Sequence, residues 1–232
     1  MPDYRKAWGG KRMNGAAPAV LVIMAAVLVL LHRHGRQEVR RKRGAMFDAC
    51  IGLFESCRLS RDGIYFPVLE GRYRGYAVRI ELIADHIAVR KLPSLWLIVT
   101  LRGRVRWGGV LDFLVRPLNV EFFSPAALLD CRLPVPPGWP QDAWLRSDRP
   151  EAMPPLESVE PHIRFFEDPK AKELLVTPRG IRLVYQAKEG VRAYYTVLRQ
   201  VEFAGPPLSP SLLGSLMDRA IALYEDLKQE GH

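Results

Sequence analysis

The stretch YRGYAVRIELIAD, Tyr73 to Asp85, sets Tyr76, Val78, Ile80 and Leu82 on one side and Arg79 and Glu81 on the other. A period of two is the pattern of a strand with one buried and one wet face. Glycines bound it, and YFPVLEG, residues 65–71, leads in with the same alternation. SLWLIVTLRGRVRW, residues 94–107, continues in β-branched and aromatic residues and reads as a further strand. VLDFLVRP, residues 110–117, is a strand or a short helix, since its period does not decide.

The last third repeats the theme. ELLVTPRGIRLVYQAKEGVRAYYTVLRQVEF, residues 173–203, reads as three strands joined at Pro178-Arg179-Gly180 and Lys188-Glu189-Gly190. Both joints have turn chemistry. Before it, Asp168 is placed to cap a short helix with Pro169 at its first position. After it, LSPSLLGSLMDRAIALYEDLKQE, residues 208–230, predicts a closing helix. Ser209 is its cap, Pro210 opens its first turn, and Leu213, Leu216, Met217, Ala220, Tyr224 and Leu227 line one face. Strands followed by a helix, without strand–helix alternation, predict an α+β fold: a mostly antiparallel sheet covered by helices.

The N-terminal part is of another kind. Ala16 to Leu31 is sixteen residues without a charged or polar side chain, roughly 24 Å of helix. That is the short end of a bilayer span. Arg5, Lys6, Lys11 and Arg12 precede it; His32, Arg33, His34 and the run Arg40, Arg41, Lys42, Arg43 follow. No small-residue cleavage site follows the apolar run, so an uncleaved single-pass anchor is the expectation. Tyr4 and Trp8 fit a head-group position. More basic residues follow the span than precede it, which sets the globular part in the cytoplasm and the short tail outside. Three cysteines, Cys50, Cys57 and Cys131, agree with a reducing compartment. Cys50 and Cys57, seven residues apart on an expected helix, stand too far apart to bridge.

The chain therefore divides into a basic tail (1–15), a transmembrane helix (16–31), a basic juxtamembrane segment with an amphipathic helix (32–59), and a globular domain (60–232). The helix is read from AMFDACIGLFESCRLS, where Met46, Phe47, Cys50, Phe54 and Cys57 form one stripe. Within the domain, residues 132–161 contain eight prolines and read as an ordered strap across its surface. Trp139 and Trp144 in that strap are costly to leave in water and are candidate partner contacts.

The net charge of +9 is a property of the anchor's flanks. Residues 1–44 carry ten basic and two acidic side chains, and the other 188 carry 24 and 23. A near-neutral domain without an aromatic platform excludes a duplex-binding function, so no nucleic-acid partner is expected. Arg40, Arg41, Lys42 and Arg43 are instead expected against anionic lipid head groups, each worth about 1 kcal/mol of attraction. Arg102, Arg104 and Arg106 recur at every second residue, so a strand would bring three guanidinium groups to one face, suited to an anion or a partner.

GRYRGYAVRIEL, residues 71–82, followed by VRKLPSLWLIVTL, residues 89–101, resembles stretches in uncharacterised bacterial single-pass membrane-anchored proteins. The resemblance covers most of residues 60–200. It implies a bacterial origin, which puts the expected anchor in the inner membrane, and carries no activity and no catalytic residue to this chain.

Motifs of chemistry are missing. There is no nucleophile elbow, phosphate-binding loop or His-Glu-x-x-His, and no His, Cys or carboxylate set has metal-ligand spacing. No catalytic residue, metal or cofactor is expected. The sequence predicts a non-enzymatic interaction protein, an accessory, assembly or scaffolding subunit of a membrane complex, with a protein partner in the membrane. A membrane-tethered sensor for an anionic ligand is the alternative, and an enzyme of unknown type the third reading.

Overall fold

The structure is a computed structural model that describes residues 16–61, 65–85, 92–118, 121–190, 203 and 205–229. The chain divides into two units between Lys42 and Arg43.

In the first unit, helix α1 (Ala16–Gly44) runs 29 residues, its last two in the second unit. At about 1.5 Å per residue it is roughly 43 Å long. Its apolar part, from Val20 to Leu31, is exposed throughout. Among the described residues, one helix is long and apolar enough to cross a membrane. The helix does not stop with the apolar run; it continues through the basic residues to Gly44. Tyr4, Trp8 and the basic tail lie outside the described residues.

In the second unit, nine strands among the described residues form one sheet: β1 (Ser56–Ser60), β2 (Val68–Tyr73), β3 (Tyr76–Ala84), β4 (Ser94–Arg102), β5 (Leu111–Val115), β6 (Cys131–Leu133), β7 (Ala143–Ser147), β8 (Ala171–Thr177) and β9 (Gly180–Glu189). Their order is β1-β2-β3-β4-β9-β8-β5-β7-β6, and every pair is antiparallel. The α+β expectation holds. The β2–β3 hairpin closes on Arg74 and Gly75 at φ +49° and +81°, the left-handed pair that a two-residue turn of matching twist requires.

One face of the sheet carries Val78, Ile80 and Leu82 from β3, Leu95, Leu97, Val99 and Leu101 from β4, and Ile181, Leu183 and Tyr185 from β9. Two helices enter the same core. Helix α2 (Leu156–Val159) gives Val159, and the closing helix α3 (Pro210–Gln229) gives Leu213, Leu216, Met217, Ala220, Leu223 and Leu227. At roughly 1.5–3 kcal/mol for each fully buried large side chain, this layer is the main source of stability. Phe113 sits at its centre, edge-on to Trp139 at 5.1 Å and to Phe166 at 5.0 Å.

Three expectations need correction, and one left open is resolved. The stripe over Met46–Cys57 is not one helix: residues Ala45–Leu53 form a 3₁₀ segment, and from Ser56 the chain pairs with β2 as the sheet's edge. Met46, Phe47 and Cys50 are buried as expected, but Cys57 is exposed on that edge strand. Asp168 opens no helix; it follows the 3₁₀ segment Glu160–Glu167 as its C-terminal cap residue. Its carboxylate accepts from the Lys170 amide and the Tyr185 hydroxyl, each at 2.8 Å, and holds the turn into β8. The proline-rich strap is ordered but not merely laid over the surface, since its proline-poor stretches form β6 and β7 at the second edge. Finally, residues 110–117 resolve as strand β5. Most of the third strand expected over 173–203 lies outside the described residues.

Candidate functional site

The second face of the sheet holds the chemistry. Alternation puts Glu70 of β2, Arg79 and Glu81 of β3, Thr100 and Arg102 of β4 and Arg182 of β9 on it, opposite the core residues. Two acidic side chains on this face are fully buried: Asp112 of β5 and Glu173 of β8. Asp112 gets there by plain alternation between Leu111 and Phe113. Glu173 gets there by a β-bulge. The β8–β9 register skips from Ala171 to Glu173, so Lys172 is the extra residue. One extra residue reverses every later side chain. Without it Glu173 would point into the apolar core.

A connection between β5 and β6 covers these acids. It leaves β5 at Arg116, a non-glycine residue at φ +48°, whose guanidinium binds the Pro169 and Ala171 carbonyls. Glu121 pins it through a buried 3.0 Å ion pair with Lys172, whose ammonium also donates to the Arg116 carbonyl at 2.6 Å. Phe123 packs on Trp96 at 5.2 Å, forming with Ile98 and Val184 a small second core. Farther along, Arg146 of β7 donates to the Ala126 carbonyl at 2.9 Å.

Beneath this cover the Ser124 hydroxyl donates to Asp112 Oδ2 at 3.3 Å, and Arg182 pairs with Glu173 Oε2 at 3.0 Å. Asp112 Oδ1, Glu173 Oε1 and the Nε atoms of Arg146 and Arg182 are buried with no hydrogen-bond partner among the described residues. Burial drives the Asp112 carboxyl well above the usual carboxylate range, and the nearby Glu173 charge adds to it, against the pull of Arg182, Ser124 and Arg146. Burial also raises Glu173, which Arg182 opposes. Such a pair can store a proton. It is fully buried, so it presents nothing to a substrate from solvent.

The other half of this face is open. Glu70 Oε1 is shared by Arg79 at 2.6 Å and Arg102 at 2.9 Å, and Arg79 also binds Glu81 at 2.8 Å. Beside this cluster lies a depression of about 360 Å³ lined by Thr100, Arg102, Thr177, Arg179 and Arg182. Gly180 at the turn is obligatory: its φ is +146° and an added Cβ would stand 2.0 Å from the Leu101 carbonyl oxygen.

The residues proposed from sequence fall in several places. Arg102, Arg104 and Arg106 are all exposed, and Gly103, Val105 and Trp107 between them are half-buried. The exposure alternates along residues 102–107, but β4 ends at Arg102. The amides of Gly103 and Val105 bond instead to the carbonyls of Arg179 and Pro178, so the second and third arginines run alongside the β8–β9 turn. Trp139 is buried against Phe113 and belongs to the core, which withdraws it as a surface contact. Trp144 is half-buried under the Arg146 guanidinium, 4.6 Å from its ring centre. Arg40, Arg41 and Lys42 are exposed, with Arg41 bonded to Glu38. Arg43 is engaged with the domain, over the Phe66 ring at 4.8 Å.

Sequence reasoning passed over Asp112, Glu173, Arg179 and Arg182. A signal for Asp112 existed, a single charge inside an apolar run; the bulge that aims Glu173 left none.

The covering connection also exposes apolar side chains: Leu128 is 82% exposed, Phe122 50% and Leu118 46%. No metal-ligating cluster occurs among the described residues.

No protein-family model matches the chain, and no curated protein matches it. Among solved structures it is similar to the mycobacterial trehalose monomycolate transport factor A, TtfA, at 13% identity and a TM-score of 0.39, over 84% of this chain and 94% of that one.

Proposed function

We propose that this protein is a membrane-anchored, non-enzymatic interaction protein, an accessory or scaffolding subunit that binds a protein partner in the same membrane. The observation that carries the reading is the connection between β5 and β6. It holds Leu118, Phe122 and Leu128 in water while anchoring itself by Glu121–Lys172 and Arg146. Large apolar side chains held out on a braced segment suit a partner's apolar surface. Helix α1 supplies the tether, and Arg40, Arg41 and Lys42 supply contacts to anionic head groups. The flanking charges and three free cysteines support a domain on the cytoplasmic side of a bacterial inner membrane.

The test is capture of the tagged full-length protein from its native membranes in mild detergent. Three forms are compared: wild type, an anchor swap of residues 1–44, and the triple variant Leu118→Ser, Phe122→Ser, Leu128→Ser. A partner at fixed stoichiometry should survive the swap and be lost from the triple variant. If wild type emerges alone, the subunit reading fails. If the partner is lost on the swap and kept by the triple variant, the contact belongs to the span.

A further inference from the structure

We infer that the depression at the β8–β9 turn is a binding site for a phosphate group, held by Arg102, Arg179 and Arg182 with the Thr100 hydroxyl. This site is separate from the partner contact proposed above and does not depend on it.

The three guanidinium groups come from different places in sequence and are brought together by register. Thr100 pairs with Arg182 across β4 and β9, Arg102 pairs with Gly180, and Arg179 is the turn residue between them. Arg182 is held at its base by Glu173 through one nitrogen, with its side chain 23% exposed. Arg102 is held by Glu70, also through one nitrogen. A guanidinium has five N–H donors, so both keep donors for a ligand. Arg179 is exposed and makes no side-chain hydrogen bond or ion pair among the described residues. The Thr100 hydroxyl likewise has no hydrogen-bond partner among them. Thr177 is spent locally, bonded to the Gly180 carbonyl and the Arg179 amide.

The charge is unbalanced in the cations' favour. Arg79, Arg102, Arg179 and Arg182 face Glu70, Glu81, Glu173 and the buried Asp112, whose carboxyl burial raises, and the exposed Arg104 and Arg106 run beside the same turn. Planar guanidinium forks lining one depression suit the oxygens of a phosphate, which accepts paired N–H bonds. The depression lies at the low end of the size of small-ligand pockets and is open to solvent, so it admits a head group or a free ion, with the rest of any larger molecule outside.

The experiment is calorimetric titration of the full-length protein in non-ionic detergent with two probes, inorganic phosphate and monomeric dihexanoyl phosphatidic acid. The variants are Arg179→Ala, Thr100→Val and, as a charge control on the 3₁₀ segment Glu160–Glu167, Arg164→Ala. Arg182 is left intact because it neutralises Glu173. Arg179→Ala should weaken binding about tenfold or more, the loss of one charged hydrogen-bonding group. Thr100→Val should weaken it severalfold, and Arg164→Ala should leave it unchanged. Binding of inorganic phosphate assigns a free anion, and binding of phosphatidic acid alone assigns a lipid head group. The inference is overturned if wild type binds neither probe, or if Arg164→Ala weakens binding as much as Arg179→Ala.

Discussion

Replacing Arg182 with Met tests whether Glu173, under the covering connection, is held as a charge. Glu173 is fully buried and its charge is met by Arg182 at 3.0 Å. Removing one partner of a buried pair typically costs about 3–5 kcal/mol, because the other charge is left without compensation. Two features set the expected value at the lower end, about 3 kcal/mol at neutral pH. Arg182 is 23% exposed, so water reaches part of the site. Glu173 can also escape by taking a proton, and burial already raises its pKa. The converse change, Glu173→Leu, leaves a part-exposed arginine that can hydrate, and should cost about 1 kcal/mol. The double variant should lie closer to wild type than Arg182→Met does, with a coupling of about 2 kcal/mol. Urea denaturation followed by tryptophan fluorescence measures all four corners. The pH dependence sharpens the test. Without Arg182 the folded pKa of Glu173 rises further, so the deficit is smallest where Glu173 is protonated in both states and grows as pH rises through the folded value. An Arg182→Met deficit below 1 kcal/mol, or one of equal size at pH 5 and pH 8, would refute a buried, charge-paired Glu173.

Three other outcomes are expected. Asp112 titrates near 4 when unfolded and well above that when folded. The folded state therefore holds the extra proton between the two values, and stability falls as pH rises through that window. Glu173, Arg182, Arg146 and Ser124 all bear on that proton, so Asp112→Asn should flatten the fall, seen as converging wild-type and variant melting curves towards pH 4. Gly180→Ala should cost about 3 kcal/mol, since its Cβ meets the Leu101 carbonyl at a φ of +146°; a melting temperature within a degree of wild type would contradict the turn geometry. Cys57 should react with iodoacetamide in the native state well before Cys50, whose thiol is buried, donates to the Leu208 carbonyl at 3.3 Å and is pushed up in pKa by burial. Peptide mass spectrometry after timed quenching reads the order.

The parts of this fold visible in the sequence are those governed by local period. The alternation from Tyr76 to Leu82 survives as β3 because each side chain needs only the strand's own pleat to choose its face. The stripe of α3 survives for the same reason at a period of 3.6. What the sequence hid depends on pairing across distance. Met46, Phe47 and Cys50 look helical to their end, yet the edge of β2 was open, and residues from Ser56 gained a ladder of hydrogen bonds there. The strap's prolines suggested irregular backbone, but they leave Ala143–Ser147 proline-free, enough for a five-residue strand beside β5. The arginines of residues 102–106 were read as one strand's face. Their true neighbour, Arg179, lies more than seventy residues away and enters through the β8–β9 turn.

The two halves of the second face are linked through one residue. Arg182 is the base of the Glu173 ion pair on the covered side and a wall of the arginine depression on the open side. Its Nε is buried with no hydrogen-bond partner among the described residues, and one terminal nitrogen binds Glu173 at 3.0 Å. An anion in the depression would draw on the same guanidinium that favours the ionised form of Glu173 against its burial, and a proton on Glu173 would leave that guanidinium more available to the anion. Linkage makes this reciprocal: phosphate binding should be tighter at a pH where Glu173 is protonated, provided the phosphate keeps its charge. Titrations of phosphate at stepped pH, in wild type and in Glu173→Gln, separate this coupling from the phosphate's own ionisation. In Glu173→Gln the guanidinium is released at every pH, so the dependence that remains belongs to the ligand alone. Identical pH profiles in the two proteins would show that the covered acids and the open depression act independently.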